Sequence, residues 1–418
     1  MIGVEIMNIQ AIAGKINSVG ARLYLVGGAV RDYLLGVEPY DFDYVVVGME
    51  KSTFEELFPE AVSRGKSFPV YDIQGKEFAL ARKERKTGSG HKEFEMITGK
   101  DISLEDDLKR RDITINSMAL DVLTNEIIDP YGGREDIKNK KIRATSEAFL
   151  EDPLRVYRVA RFAAKLGFEV DEKTLELMNM AKSELDTLSS ERIVSELIKV
   201  LSYDKPSIFF KTLRKSNTLD VHFIEIYNMI DVPQPELYHP EGDVFNHTMI
   251  VVDKVAKMTK EPHIVFAGLV HDFGKTTTPK DILPRHIGHE ARGEDLVRDF
   301  CNRLKLPTIY KKSGVTACLE HMRAGIYSKM RTATKVDFLV RLNKSVLGLK
   351  GIEIIANADR SRIEEQSINE NKIEFAELGE RMIQEVDAKK YPKDMDFTIL
   401  KEKVREERIK WLEEKENV

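Results

Sequence analysis

The spacing of apolar and polar positions changes period along this chain, and the change divides it. Residues 1–20 carry an amphipathic spacing that predicts a short lead-in helix. Leu23–Val26 is an apolar run with β-branched content, a predicted strand ending at Gly27-Gly28. Ala29–Leu35 has helical spacing and stops at Gly36. Asp41-Phe42-Asp43-Tyr44 then leads into a second strand at Val45–Val47. Thr53–Leu57 reads as a helix, and Ser67–Tyr71 and Glu77–Arg82 as strands. Lys83–His91 is a polar, Gly-containing loop carrying Lys83, Arg85 and Lys86, and Asp129–Ile137 opens on a turn cluster. From Thr145 the period is helical. Glu151–Phe162 puts Leu154, Val156, Val159, Ala160 and Phe162 on a buried side, and Thr174–Ala181, Ser190–Ser202 and Ser207–Leu213 continue the pattern. Val232–Gly242, rich in proline, predicts a boundary. Amphipathic runs resume around His247, before His271 and around Asp359, and from Glu364 the chain is charged and helical, with Trp411 near its end. The expected fold class is α+β. Strands and helices share residues 1–140, followed by an all-α body in 141–231, a second all-α domain in 232–363 and a helical tail in 364–418.

Composition narrows the class. The 418 residues are 32% charged and 42% hydrophobic, as in ordinary globular proteins. A net charge of −5 gives no global basic field, so any nucleic-acid contact must come from local basic faces. Cys301 and Cys318 fit neither a disulfide framework nor a zinc pattern. No apolar run approaches membrane-spanning length, and the N-terminus lacks a signal-peptide layout. A cytoplasmic protein without a membrane partner is expected.

The chemistry begins at Asp41 and Asp43. On an extended strand residues i and i+2 share a face, so the two carboxylates project together and repel. A hard cation such as Mg²⁺ relieves that repulsion and takes its remaining ligands from substrate phosphates. Gly27-Gly28, followed by a helix, offers backbone N–H groups to those phosphates. The ordered pair describes a metal-dependent phosphoryl or nucleotidyl transfer site.

Gly27-Gly28-Ala29-Val30-Arg31-Asp32 followed by Asp41-Phe42-Asp43 resembles the signature of class II tRNA nucleotidyltransferases, the CCA-adding enzymes, and implies their polymerase-β-like head, a small mixed sheet with helices on one face that bacterial poly(A) polymerases share, followed by a helical neck and body. Arg110-Arg111-Asp112 through Asn116 reads by itself as a charged helix face, and it also resembles the family motif whose Arg-Arg-Asp contacts the nucleotide's sugar and phosphates. Asp129–Ile137 resembles the hinge between head and neck, and Lys83–His91 lies where the family has a flexible loop that helps switch from C to A addition. Asp152, Arg155 and Arg158 are spaced by three, which fits an ion-paired helix face. C and A each present an amino donor beside a ring-nitrogen acceptor, so a carboxylate next to a guanidinium complements them and opposes U and G. The resemblance places the family's base-reading Asp and Arg on Asp152 and Arg155, with Arg158 a further arginine of the motif.

The second domain has its own constellation. His247, the adjacent His271-Asp272 and the distant Asp359 make a mixed nitrogen and oxygen metal set that matches the pattern of HD-type phosphohydrolases. His286, His289 and His321 are candidates for a second metal or a phosphate contact, and Lys275 for a phosphate contact. The resemblance implies a tRNA 3′-hydroxyl attacking the α-phosphate of CTP or ATP at a Mg²⁺ site. It further implies phosphatase and 2′,3′-cyclic phosphodiesterase chemistry at an HD site that takes Ni²⁺ or another divalent metal. The expected partners are tRNA, CTP and ATP, with no DNA, in a monomer or homodimer. A poly(A) polymerase uses the same head but generally lacks the HD domain. A phosphohydrolase with an inert head conflicts with the intact carboxylate pair. A non-catalytic RNA-binding protein conflicts with the acidic charge and two complete metal constellations.

Overall fold

The computed structural model describes residues 2–64, 70–86, 94–360, 372–392 and 394–416. They form two compact units, residues 1–189 with 212–218, and residues 190–211 with 219–418.

The first unit contains α1 (Ile2–Ser18), β1 (Arg22–Val26), α2 (Gly28–Leu34), β2 (Asp43–Val47), α3 (Lys51–Leu57), β3 (Val62–Arg64), β4 (Val70–Ile73) and β5 (Lys76–Leu80). It continues through β6 (Arg82–Lys86), β7 (Phe94–Thr98), α4 (Leu104–Lys109), β8 (Ala119–Asp121), β9 (Ile127–Ile128), α5 (Gly133–Lys138), α6 (Leu154–Leu166) and α7 (Glu172–Met180). Seven strands form one mixed sheet in the order β3-β4-β5-β2-β1-β8-β9, with β2 and β5 parallel and the other pairs antiparallel. Alternate residues of β1 and β2 feed two cores. Leu23, Leu25, Tyr44 and Val46 pack with side chains of α1, α2 and α3, whereas Tyr24, Val26 and Val45 pack with Leu108 of α4. The unbroken apolar run Leu23–Val26 has this cause: a central strand covered on both faces has no polar side to alternate with. Helices α1–α3 cover one face as expected, and α4 adds a smaller cover on the other.

Several local expectations shift. Asp41 and Phe42 lie ahead of β2, which begins at Asp43 where pairing with Val26 begins. Lys83–Lys86 sit in β6 rather than a loop, because β7 pairs with it as a separate two-stranded ribbon. The rest of the expected Lys83–His91 loop, and residues 67–69 of the Ser67–Tyr71 strand, lie outside the described residues, as does 364–371 of the tail. Strands β3, β8 and β9 are two or three residues long, too short for periodicity to reveal.

The second unit takes α8 (Ser190–Val200), the first part of α9 (Ser207–Lys215), α10 (Leu219–His222), α11 (Ile224–Tyr227), α12 (Val244–Met258), α13 (Pro262–Val270), α14 (His289–Arg303) and α15 (Thr308–Gly325). It ends with α16 (Thr332–Asn343), α17 (Gly348–Arg360), α18 (Ala376–Glu385) and α19 (Phe397–Glu416). Helix α13, PHIVFAGLV, is apolar all round and buried from Ile264 to Val270, as its composition requires. A Cβ on Gly268 would stand 2.9 Å from Val255 of α12, and one on Gly314 of α15 would stand 2.9 Å from Val270, so both neighbours approach α13 closely. Glu353 and Asn357 of α17 accept backbone N–H groups of Phe375, Ala376 and Ile373, which seats the start of α18. Among the described residues, no helix is long and apolar enough to cross a membrane.

Candidate active sites

The first site forms where β1 ends. Register opposes Val26 to Asp43, so the Gly27 turn falls beside the first residue of β2. Gly27 has φ 73°, and a Cβ there would lie 2.9 Å from Nη1 of Arg111. Only glycine permits both the turn and that approach. Asp41 and Asp43 are exposed. Desolvation is the largest influence on Asp43 and raises its pKa, reinforced by the Asp41 carboxylate and by Glu77 and opposed by Arg111. A desolvated carboxylate beside a second one is a place where a cation is favoured.

Arginines surround this point, each fixed by an acid or a carbonyl. A Ser103/Asp106 capping box starts α4. Asp107, fully buried, then accepts from Arg110 at 2.7 Å and Arg111 at 3.3 Å. The positive charges of Arg110 and Arg111 outweigh burial and hold its carboxyl below the ordinary value. The family-like RRD therefore starts at the helix end and runs beyond it. Arg31 is buried, donating from Nη1 to Asn116 at 2.6 Å and from Nε to Asp32 at 2.8 Å. Asn116 donates to Asp112 at 3.1 Å, and Arg158 donates to the same carboxylate at 2.8 Å. Burial of Asp112 would raise its pKa, but Arg158 and Asn116 win and lower it to about 2. The guanidinium groups of Arg31, Arg158 and Arg161 all gather around the Phe162 ring, at 5.2, 5.7 and 4.2 Å.

Asp152 and Arg155 stand at the start of α6 rather than along its face. Asp152 accepts from the Leu154 N–H at 3.0 Å, and buried Arg155 donates to the carbonyls of Ala148 and Arg110. The spacing of three thus becomes a turn and a main-chain clamp in addition to the Arg158–Asp112 pair. Gly27, Gly28, Arg31, Asp43, Arg111, Asp112, Asn116 and Arg158 are brought into one connected neighbourhood. Asp107, Phe162 and Glu77 were not singled out from sequence. Asp107 was legible in its spacing of three and four to the arginines, whereas Glu77 reaches Asp43 only through the parallel β2–β5 register.

The second site lies inside the helical unit. Helix α12 supplies His247, the end of α13 His271 and Asp272, the start of α14 His289, α15 His321 and α17 Asp359. Ligand atoms of His247, His271, Asp272 and Asp359 all lie within 4.8 Å of one another, and so do those of Asp272, His289 and His321. Asp272 joins the sets. Its Oδ2 is 3.2 Å from His271 Nε2, and its Oδ1 is 3.3 Å from His289 Nε2 and 3.5 Å from His321 Nε2. The Nδ1 atoms of His271, His289 and His321 face the carbonyls of Gly268, His286 and Ala317 at 2.8, 2.7 and 2.9 Å. Those contacts commit each Nδ1 to its proton and turn each Nε2 lone pair inward.

His271 Nε2 and both Asp272 oxygens are buried without a hydrogen-bond partner. Burial alone would lower His271, yet Asp272 and Asp359 raise it to about 10. Both carboxyls sit well below their ordinary value, burial being outweighed by His271 and Lys275 at Asp272 and by His247 and His271 at Asp359. Carboxylates and imidazole Nε2 atoms gathered within ligand reach of one another fit a divalent metal, which would replace the protons these rings otherwise hold. Lys275 Nζ donates to Gln234 at 2.8 Å and lies 2.7 Å from Asp272 Oδ2, an ion pair without hydrogen-bond geometry. His286 stands apart: Nδ1 meets the Thr278 hydroxyl and Nε2 the Pro233 carbonyl, so neither ring nitrogen faces the cluster. Gly274 makes the second set possible, because a Cβ there would fall on the His289 carbonyl.

Family models match along the chain: the Poly A polymerase head domain over residues 23–143, the probable RNA and SrmB-binding site of polymerase A over 167–229, and the HD domain over 244–382. The expected order of polymerase-type head, helical body and HD domain is thereby met. A protein of Acinetobacter baylyi named Multifunctional CCA protein is 44% identical over 330 residues, 77% of this chain and 79% of that one. A CCA-adding enzyme solved with CTP shares the fold at TM-score 0.63 and 19% identity, over 97% of this chain and 91% of that chain. So does a Thermotoga maritima CCA-adding enzyme complexed with tRNA, at TM-score 0.60 and 20% identity over the same shares.

Proposed function

The chain belongs to the multifunctional CCA protein family, and from that membership we propose how its residues divide the work. It is a CCA tRNA nucleotidyltransferase, transferring CMP and AMP from CTP and ATP to the tRNA 3′ end with release of pyrophosphate. The observation that carries the residue assignment is the Asp41/Asp43 pair at the start of β2, beside Gly27 and Arg111. Mg²⁺ held by these carboxylates supplies Lewis acidity for the attacking hydroxyl and the leaving pyrophosphate. Arg31, Arg110 and Arg111, with the backbone at Gly27 and Gly28, orient the triphosphate. Asp112, Asn116 and Arg158 keep that arginine frame in place. Asp152 reads the Watson–Crick edge as acceptor for the exocyclic amine of C or A, while Arg155, its Nη atoms held on the Ala148 and Arg110 carbonyls, seats that stretch of chain.

The HD domain is assigned metal-dependent phosphatase and 2′,3′-cyclic phosphodiesterase activity, with Ni²⁺ the proposed preferred metal. When bound, the metal supplies the Lewis acidity that phosphoester hydrolysis requires. His247, His271, Asp272 and Asp359 hold it, His289 and His321 extend the site, and Lys275 meets the phosphate. Residues 1–140 form the head, 141–231 the neck and body that select nucleotide and bind tRNA, 232–363 the HD domain and 364–418 the tail. Residence in the cytoplasm is part of the same proposal, supported by two free buried cysteines, Cys301 and Cys318.

The test supplies tRNA lacking its 3′ CCA with each nucleoside triphosphate singly and together, and reads product lengths on a gel. CTP alone should extend by C only, and CTP with ATP should complete the end. Long A tails from ATP alone would make the protein a poly(A) polymerase. Hydrolysis of a 2′,3′-cyclic phosphate is measured in parallel with Mg²⁺, Mn²⁺ and Ni²⁺, and no hydrolysis with any of them would make the HD domain structural.

A further inference from the structure

His247 differs from the other three histidines of the buried cluster. Their Nδ1 atoms face main-chain carbonyls three or four residues away, whereas His247 Nδ1 meets Oε1 of Glu241 at 2.6 Å, on the segment preceding α12. The same oxygen lies 3.0 Å from Nδ1 of His239, and the two imidazoles stand edge to face with centroids 4.8 Å apart. The Glu241 side chain is only 4% exposed. An ionised carboxylate accepts and cannot donate, so both rings present N–H to it. His247 Nε2 then points into the cluster, 3.0 Å from Asp359 and 3.6 Å from Asp272, where a metal would take its lone pair in place of a proton.

We propose that Glu241 is a positioning residue for metal binding in the HD domain: it fixes the tautomer and orientation of His247 and raises its basicity as a ligand, while His239 locks the carboxylate in place. A carbonyl partner fixes a ring but brings no net charge, whereas a buried carboxylate also strengthens the imidazole as a donor to a cation. The Pro-rich segment, read from sequence only as a boundary, is thereby part of the metal site. The inference rests on the reading of His247, His271, Asp272 and Asp359 as metal ligands.

The experiment titrates Ni²⁺ into the full-length protein in competition with a chromophoric chelator, with His271→Ala as the blank. Glu241→Gln keeps the shape and removes the charge. It should weaken the Ni²⁺ affinity about 10- to 100-fold, and the melting temperature of the metal-free protein, measured beside it, shows that the variant is folded at the titration temperature. His239→Ala should weaken affinity by less, and Glu241→Asp, which restores the charge, should recover part of the loss. Wild-type affinity in Glu241→Gln, whatever its melting temperature, would overturn the inference and make Glu241 a strut for its segment. Wild-type protein binding no more Ni²⁺ than the blank would overturn the metal reading itself, and the inference with it.

Discussion

In the head, Asp43 opens β2 and Asp41 lies two residues ahead of it, both exposed; in the helical unit, Asp272 is buried among Lys275 and histidines from four helices. The head offers two carboxylates and a surround of arginines, so a cation held there as proposed would need oxygen ligands from a triphosphate to complete its shell. The buried cluster offers four to six ligands from the protein alone, with each histidine's tautomer set by a fixed acceptor. An open site suits a large substrate that enters with its charge and leaves as pyrophosphate. A closed one suits a resident metal and a small phosphoester. The same contrast extends to the supporting charges. Arg31, Arg111 and Arg158 are held by Asn116, Asp107 and Asp112, an amide and two acids outside the proposed ligand set.

The comparison is broken most sharply by removing one centre at a time. Asp43→Ala should lower nucleotide addition about 10³-fold or more, since transition-state charge loses its counter-ion, while hydrolysis continues. His271→Ala should do the reverse. Both rates measured on each purified variant check this, and loss of both activities in either variant would mean that the centres are not independent.

Next in size is the frame beneath the head's arginines. Arg158→Ala leaves the buried Asp112 carboxylate short of its main partner and should cost about 3 kcal/mol, read from urea unfolding followed by a probe in the first unit. Adding Asp112→Asn should recover part of it. A loss under about 0.5 kcal/mol, the size of an ordinary surface change, would make Arg158 a solvated helix-face charge.

Asp112 also predicts a pH window. Its folded pKa of about 2 lies below the unfolded value, so its contribution is fully present above about pH 4 and lost as pH falls toward 2. The amount is about 2 kcal/mol, and stability curves of wild type and Asp112→Asn should converge across that window. Parallel curves down to pH 2 would contradict the assignment.

The smallest effect concerns base choice. Asp152→Ala should reduce the preference for CTP over UTP about tenfold with a smaller change in triphosphate binding, measured by single-nucleotide incorporation. An unchanged preference would leave Asp152 only its role of seating α6.

Local chemistry alone made much of both centres legible. Asp41 and Asp43, the glycine pair, the RRD run and the HD dyad are short in sequence, and spacing carries their geometry. The split of β1 between two cores, β6 standing where a loop was expected, and the places of Asp152 and Arg155 at a helix start were not legible, because each depends on what packs or pairs opposite. Glu77 and Glu241 are of the same kind: nothing in their own neighbourhood marks them.

The sequence by itself determined which residues carry charge, which can ligate a metal, where glycine permits the Gly27 turn, and where helices replace strands. It determined these because side-chain chemistry and periodicity are local. Only the tertiary structure decided that Asp272 faces two histidine sets at once, that His286 turns away from both, and that Glu241 stands behind His247. Those outcomes depend on the approach of separate helices across a core, such as the close passage at Gly274. Packing sets that distance, and no interval along the chain encodes it.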